Sequence, residues 1–319
     1  MQGLVTVFGG SGFVGGQVVR ALAKAGHRVR VAVRQPNLAY RMRMLGDVGQ
    51  IEVVQANVRN PASIARALDG AEACVNLVGV LWESGRQKFQ SIHVMAAQNV
   101  AQAAAKAGVK HLVHMSALGA NAESESKYFR TKAEGEAAVR AAFPGATIIR
   151  PSLVFGVDDK FFNRFAQIAA LSPIMPLVGG DSRVQPVFVG DVAAVIAKAA
   201  ASPAAVGVTY ELGGPTVYTM REIMQLILTE TGRDRPLAPL PWPVASLIGA
   251  LGDMVAGILP PPLTTDQVEM LKIDNVAEHG LPGLAEAGVV GTSVEAVVPT
   301  YLYRYRKGGQ YAETPAGAF

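Results

Sequence analysis

Short apolar runs alternate with longer helical patterns through the first 150 residues of this 319-residue chain. The runs at 4–8, 29–33, 51–55, 73–78, 111–115 and 147–149 are apolar on both faces, as strands of a parallel sheet covered on both sides must be. Between them, helical periodicity spans 14–25, 61–68, 91–107 and 127–142. Strand and helix in this alternation predict an α/β fold, a Rossmann-type doubly wound parallel sheet, over residues 1–150. Beyond Arg150 the rhythm loosens: a helix over 161–170, a strand at 186–189, a helix over 191–201, a strand at 208–212 and a helix over 219–231. Pro173, Pro176 and Pro186 interrupt it. We read 151–234 as a smaller, partly interleaved α/β domain on the substrate side and 235–319 as an apolar C-terminal extension; no internal repeat is found.

The extension contains the one stretch that could be taken for a membrane span. Residues 237–263 carry a single charge, Asp253, but Pro239, Pro241, Pro260, Pro261 and Pro262 lie in the flanks, and Pro243 stands where a helix would begin. About 17 helical residues remain, at the bottom of the spanning range. The part from Trp242 to Leu259 therefore reads as a docking surface or a helix lying in a membrane interface, with lipid contact as one role.

Charge sharpens this division. Charged residues make up 17% of the chain, against roughly 25% in an average soluble domain. The net +4 is a sum of unlike halves: residues 1–150 hold 18 Lys and Arg against 9 Asp and Glu, residues 151–319 hold 11 against 16. The total is too small to indicate nucleic-acid binding. Although Tyr301, Tyr303 and Tyr305 alternate with Arg304, Arg306 and Lys307, no second basic aromatic stripe accompanies them, and an anchoring tail on a partner or anionic lipid is the better reading. The lone Cys74 excludes an internal disulfide and fits a reducing compartment. The first residues enter a strand without a basic leader and apolar signal core, so export is not expected. His27, His93, His111, His114 and His279 are scattered, and no metal site is expected. Asp158 and Asp159 read as a solvated turn, and Asp191 as a helix N-cap.

Chemistry enters at the first turn. Gly9, Gly12 and Gly15 follow the first strand at the spacing G-x-x-G-x-x-G. In that pattern the first glycine permits a tight turn, the second lets backbone approach a pyrophosphate, and the third lets helix pack on strand. The helix N-terminus then offers N–H groups and partial positive charge to phosphates. Arg34 ends the second strand where an acidic side chain would meet the ribose of NAD, and no carboxylate occurs before Asp47. A guanidinium there can pair with a 2′-phosphate, so NADP(H) is preferred over NAD(H). Tyr128 and Lys132 stand four apart at the start of a helix and point the same way. An ammonium beside a phenol favours phenolate, which suits proton delivery to a carbonyl. Ser116, after the fifth strand, would complete the polarisation, with Ser124 and Ser126 as competitors for that role. An ordinary helical pair, with Tyr128 packing as an aromatic, is the bland alternative.

GGSGFVG, the N-L-V-G of Asn76 to Gly79 and Tyr128-x-x-x-Lys132 resemble, in that order, the extended or atypical short-chain dehydrogenase/reductase superfamily over roughly residues 1–230. The resemblance implies cofactor contacts from Gly9, Ser11, Gly12, Phe13, Val14 and Gly15, with Arg34, Asn57 and Val58 near the adenine. It implies Leu77, Val78 and Gly79 along the ribose and pyrophosphate, Lys132 on the nicotinamide ribose, Ser116 and Tyr128 beside the ring, and Pro151, Ser152, Leu153 and Val154 bordering it. His93 departs from the pattern, standing where extended reductases carry an asparagine of the proton relay.

A narrower resemblance lies inside this one. YFRTKAEGE, AFPGATIIRPSLVFGVDDKFFNRFA, QPVFVGDVA and the late TTDQVEMLKIDNV and LPGLAEAGV are similar to the nucleotide-binding accessory subunits of respiratory complex I. That family implies NADPH held as a structural element, core subunits of the complex as partners near the junction of peripheral and membrane arms, and no established turnover. It implies the cytoplasmic face of the inner membrane in a bacterium, or the matrix face in a mitochondrion. An NADPH-dependent reductase, dehydrogenase or sugar-nucleotide epimerase working through Tyr128 and Lys132 is the alternative, and a dinucleotide-sensing regulator a weaker one.

Overall fold

The computed structural model describes residues 2–257, 259–278 and 280–311; His279, Ile258 of the apolar stretch and 312–319 of the expected extension lie outside it. In chain order the first elements are β1 (Gln2–Phe8), α1 (Phe13–Lys24), β2 (His27–Val33), β3 (Ile51–Gln55), α2 (Pro61–Leu68), β4 (Ala73–Asn76), α3 (Ala96–Lys106), β5 (His111–Met115), α4 (Lys127–Ala142) and β6 (Thr147–Pro151). There follow β7 (Val154–Phe155), α5 (Phe162–Leu171), β8 (Met175–Val178), β9 (Arg183–Val184), β10 (Val187–Phe188), α6 (Val189–Ala199), β11 (Thr209–Leu212), β12 (Tyr218–Thr219), α7 (Met220–Glu230), β13 (Leu237–Leu240), α8 (Trp242–Val255), α9 (Thr265–Leu271), α10 (Val294–Val297) and α11 (Pro299–Leu302).

Two compact units share this chain. The first comprises Met1–Pro151, Gly190–Leu212 and His279–Val289, the second Ser152–Val189, Gly213–Glu278 and Val290–Phe319. In the first unit seven strands form one sheet in the order β11-β6-β5-β4-β1-β2-β3, and every pairing is parallel. This is the expected doubly wound sheet with a seventh strand, β11, which the chain adds by returning through α6. The strands carry fully buried Val7, Val29, Val31, Cys74, Val75, Val113, Ile148 and Ile149, which explains their double-sided apolarity. Strand order reverses between β1 and β4, so the loops that leave their C-terminal ends diverge to opposite sides and leave a crevice. Leu77 N donates to Phe8 O at 3.0 Å, holding the two loop roots side by side.

Local signals account for the helix starts. Asn60 caps α2 by accepting from Ala62 N and Ser63 N, with Pro61 pre-set for the first turn. Ser126 caps α4 by accepting from Phe129 N. The helix expected over 91–107 comes in two pieces, a wider π-type turn at Gln90–Met95 followed by α3. Asp191 lies in the first turn of α6 rather than at its cap, because the helix begins two residues earlier than expected.

The second unit is built from short ladders, β7 with β10, β9 with β12 and β8 with β13, around a core that includes Phe155, Phe162, Met175, Ile223, Ile227, Val298, Tyr301 and Leu302. Two expectations are corrected here. Asp159 is buried, not solvated: it accepts from Phe162 N at 2.6 Å and from the Tyr301 hydroxyl at 2.7 Å. Part of the tyrosine segment is folded in, with Tyr301 only 2% exposed, Tyr305 donating to Asn163 and Arg306 paired with Glu230 at 3.3 Å, while Tyr303, Arg304 and Lys307 are exposed. A buried phenol and a buried carboxylate satisfy each other, which the alternating pattern could not reveal.

Small residues decide how α8 packs. Ala245, Gly249 and Gly252 are its buried positions; a Cβ on Gly249 would stand 2.8 Å from Thr265 N, and one on Gly252 would overlap Leu263 O. The opposite side leaves Val244, Leu247, Leu251 and Met254 exposed. Among the described residues no helix is long and apolar enough to cross a membrane.

Candidate functional site

The glycine loop has the geometry its spacing predicts. Gly9 sits at φ +79°, a left-handed conformation that a side chain would strain. A Cβ there would also press on the Leu77 and Val78 backbone at 3.2–3.3 Å. Gly12 N donates to Gly9 O at 3.1 Å, closing the turn. A Cβ on Gly15 would overlap Gly9 O and come within 2.7 Å of the Gly10 backbone, so only glycine lets α1 approach its own entry loop this closely. No side chain caps α1 and no acidic residue occupies its first turn. The first-turn N–H groups of Phe13 and Val14 are therefore open to an anion without competition from a carboxylate. These features fit a dinucleotide pyrophosphate, with Ser11 on the same turn.

Arg34 follows directly on β2 and is exposed, with its Nη1 donating to Gln87 Oε1 at 3.1 Å. Its partner is a neutral amide, so its charge stays available to a phosphate. Arg59 Nη1 donates to Arg86 O at 3.2 Å on the same 84–87 turn. Asn57 bonds locally, its Oδ1 accepting from Arg59 N at 3.0 Å. Val58 is buried in the core, with its carbonyl receiving Asn99 Nδ2 at 3.5 Å.

On the other side of the crevice the structure brings Ser116, Tyr128, Lys132, His93 and Gly79 together. Lys132 is 5% exposed, its Nζ donates to Met115 O at 3.2 Å and lies 5.7 Å from the Tyr128 ring centre. Burial lowers its pKa to about 8 against the opposing pull of Glu136. A Cβ on exposed Gly79 would stand 3.3 Å from Lys132 Nζ, so the missing side chain opens the approach to this amine. The three candidate serines separate clearly. Ser126 Oγ caps α4, and Ser124 Oγ accepts from Ser126 N at 3.2 Å. Ser116 Oγ is buried without a hydrogen-bond partner among the described residues. An unpaired buried hydroxyl is unfavourable by about 1–3 kcal/mol, and an acceptor brought by a ligand would remove that penalty. Ser116, Tyr128 and Lys132 thus fit the polar end of a nicotinamide nucleotide. The group would supply hydride chemistry when bound; the chain supplies the amine, the two hydroxyls and a shielded wall.

Pro151 ends β6, its carbonyl accepting from Leu118 N at 2.9 Å. Ser152, Leu153 and Val154 belong to the second unit, where the Ser152 hydroxyl bonds Asn275 Oδ1 at 2.6 Å.

Sequence reasoning treated His93 only as a departure, yet it is central to this wall. Its ring is 2% exposed, stacks on Phe89 at 5.1 Å and meets Tyr128 edge-on at 5.3 Å. Burial, helped by the Lys132 charge, pushes its pKa down to about 2, so the imidazole is neutral. His114, bonded to Asn76 Nδ2 at 3.2 Å, is likewise held down to about 3, by burial and then Lys132. Gly135 was the missed signal: a Cβ there would overlap His93 O, so this glycine lets α4 reach the π-type turn.

Residues 1–249 match the profile of the NmrA-like family. Over 308 residues the chain is 37% identical to mitochondrial NADH dehydrogenase (ubiquinone) 1 alpha subcomplex subunit 9 of Mus musculus, spanning 95% of this chain and 80% of that protein. It is 34% identical over 252 residues to a ceramide reductase of Caulobacter vibrioides, spanning 79% of this chain and 78% of the reductase. An NADPH-dependent quinone oxidoreductase of Escherichia coli, solved with NADPH, superposes with a TM-score of 0.74 over 94% of this chain and 99% of its own at 21% identity, a likeness of fold. With its parallel switch-point sheet and glycine turn, the chain belongs to the NmrA-like family of atypical short-chain dehydrogenase/reductase proteins and is homologous to the alpha subcomplex subunit 9 proteins.

Proposed function

We propose that the chain is an accessory subunit of a respiratory NADH:ubiquinone oxidoreductase that holds NADP(H) as a structural element and turns over no substrate. The observation that carries this is the similarity to the mouse subunit over 95% of the chain, which reaches the C-terminal third where the reductase similarity, at 79%, does not extend fully. The exposed apolar side of α8, from Trp242 toward Leu259, supports a surface covered by core subunits or lipid near the arm junction. Its setting would be the cytoplasmic face of a bacterial inner membrane, or the matrix face in a mitochondrion. Purification of the respiratory complex in mild detergent from the source cell is expected to co-isolate this chain at constant ratio to the core subunits. Its absence from the complex under every condition would sink the proposal.

Arg34 supports NADP(H) over NAD(H), because among the described residues its guanidinium bonds a neutral amide. Arg34→Asp is expected to weaken NADPH by about 1.5–3 kcal/mol, the range of a hydrogen bond to a charged group, with added repulsion. Titration of both proteins with NADPH checks this, and equal affinities would contradict the assignment. A second reading, an NADPH-dependent reductase, is favoured by the Ser116 hydroxyl, unpaired among the described residues and next in the chain to the Met115 carbonyl that Lys132 Nζ bonds. Loss of a cofactor-dependent activity in Tyr128→Phe would support that reading over the first.

A further inference from the structure

The loop after β4 passes over the crevice with Gly79 exposed, and His93 holds its far end. Val80 N and Val80 O lie 3.2 and 3.1 Å from His93 Nε2, and His93 Nδ1 lies 3.1 Å from Thr131 Oγ1. Either tautomer of the ring makes one bond to each side. With its proton on Nδ1 the ring accepts from Val80 N–H and donates to Thr131 Oγ1; with its proton on Nε2 it donates to Val80 O and accepts from the Thr131 hydroxyl. In the first form the Thr131 hydroxyl donates within α4, to Lys127 O at 2.9 Å or Tyr128 O at 3.1 Å. Both ring nitrogens are therefore committed, one to the loop and one to the helix that carries Tyr128 and Lys132. A relay through this imidazole has no free site, and burial keeps the ring neutral. The connection continues along the backbone from Val80 to Leu77 and Val78, against which Gly9 packs without a Cβ. Phe89 stacking and the overlap-free approach of Gly135 to His93 O set the ring where it can reach both partners.

We infer that His93 is a positioning residue that latches the 77–80 loop to α4 and so sets how slowly a bound dinucleotide leaves. This rests on the dinucleotide-holding reading above, and its test separates the two. In the ligand-free full-length chain, amide exchange at Val80 is expected to be slow in the wild type and about tenfold or more faster in His93→Phe. That variant keeps the stacking volume and loses both hydrogen bonds, and tenfold is the scale of one net hydrogen bond. In the NADPH-loaded chain, chase with excess unlabelled nucleotide is expected to show release accelerated about tenfold in His93→Phe, with association little changed. His93→Gln, which can still accept from Val80 N–H, should restore part of both effects. Should His93→Phe fail to fold, Thr131→Val removes the helix-side acceptor alone and should produce the same acceleration. Wild-type Val80 exchange and wild-type release in a folded variant would overturn the latch. A wild-type chain that retains no nucleotide, while the Val80 difference persists, would overturn the holding reading instead and leave the latch as a tie of the loop alone.

Discussion

Gly15→Ala is expected to abolish tight dinucleotide binding, lowering affinity by about a hundredfold or more, and to destabilise the first unit by about 1–3 kcal/mol, the usual range for overpacking. The cause is local and steric. The added Cβ would overlap Gly9 O and stand within 2.7 Å of the Gly10 backbone, and neither neighbour is a flexible side chain that could swing away. Relief requires α1 to withdraw from the loop, which pulls its N-terminal N–H groups off the phosphate position. Gly16→Ala provides the control: it lies in the same helix with nothing within 4 Å of its Cβ position. There alanine should stabilise by about 0.5–1 kcal/mol through helix propensity, with binding unchanged. Calorimetric titration and thermal melts of the two variants distinguish a steric requirement at one glycine from a general intolerance of the helix. Equal binding by both would remove the role given to Gly15.

Arg150→Met is expected to destabilise the first unit by about 3–5 kcal/mol, the range for removing one partner from a buried ion pair. The guanidinium bridges Glu136 of α4 at 2.8 Å and Glu211 of β11 at 3.2 Å, and both carboxylates are more than nine-tenths buried. Its pKa is raised, chiefly by the Glu136 hydrogen bonds. Without the arginine two buried carboxylates lose their shared partner, and the last strand of the sheet loses its tie to α4. Combining Arg150→Met with Glu136→Gln and Glu211→Gln should recover much of the loss, since the penalty comes from uncompensated charge rather than from missing volume. Denaturant unfolding of the single and triple variants checks this; a triple variant no more stable than Arg150→Met would contradict the electrostatic cause.

The glycine turn was legible because its geometry is local. Gly9, Gly12 and Gly15 each answer a backbone demand made within seven residues, and Arg34 follows a strand whose end the apolar pattern already marks. The proximity of Tyr128 and Lys132 was legible for the same reason, since they stand one helical turn apart. Ser116 was readable only as one of three candidates, because choosing among Ser116, Ser124 and Ser126 depends on which hydroxyl is left unpaired after folding. His93 was visible as a residue out of pattern, and its partners Val80 and Thr131 were not, since they stand 13 and 38 positions away. Asp159 and Tyr301 were misread for a related reason: an acid and a phenol 142 positions apart satisfy each other in the core, and each alone reads as a surface residue.

What the chain order settles is therefore the periodic part: a parallel sheet whose strands are apolar on both faces, a glycine turn at its first switch, a basic first half and an apolar helix late in the chain. These depend on contacts within a strand, a turn or a helix, where spacing is geometry. Tertiary structure decided which strand completes the sheet, which serine is left without a partner and which buried acids share Arg150. It also decided that the imidazole at position 93 serves as a tie between loop and helix. Each of those outcomes depends on long-range partners competing for the same few hydrogen-bonding groups, and burial decides that competition only after the chain has closed on itself.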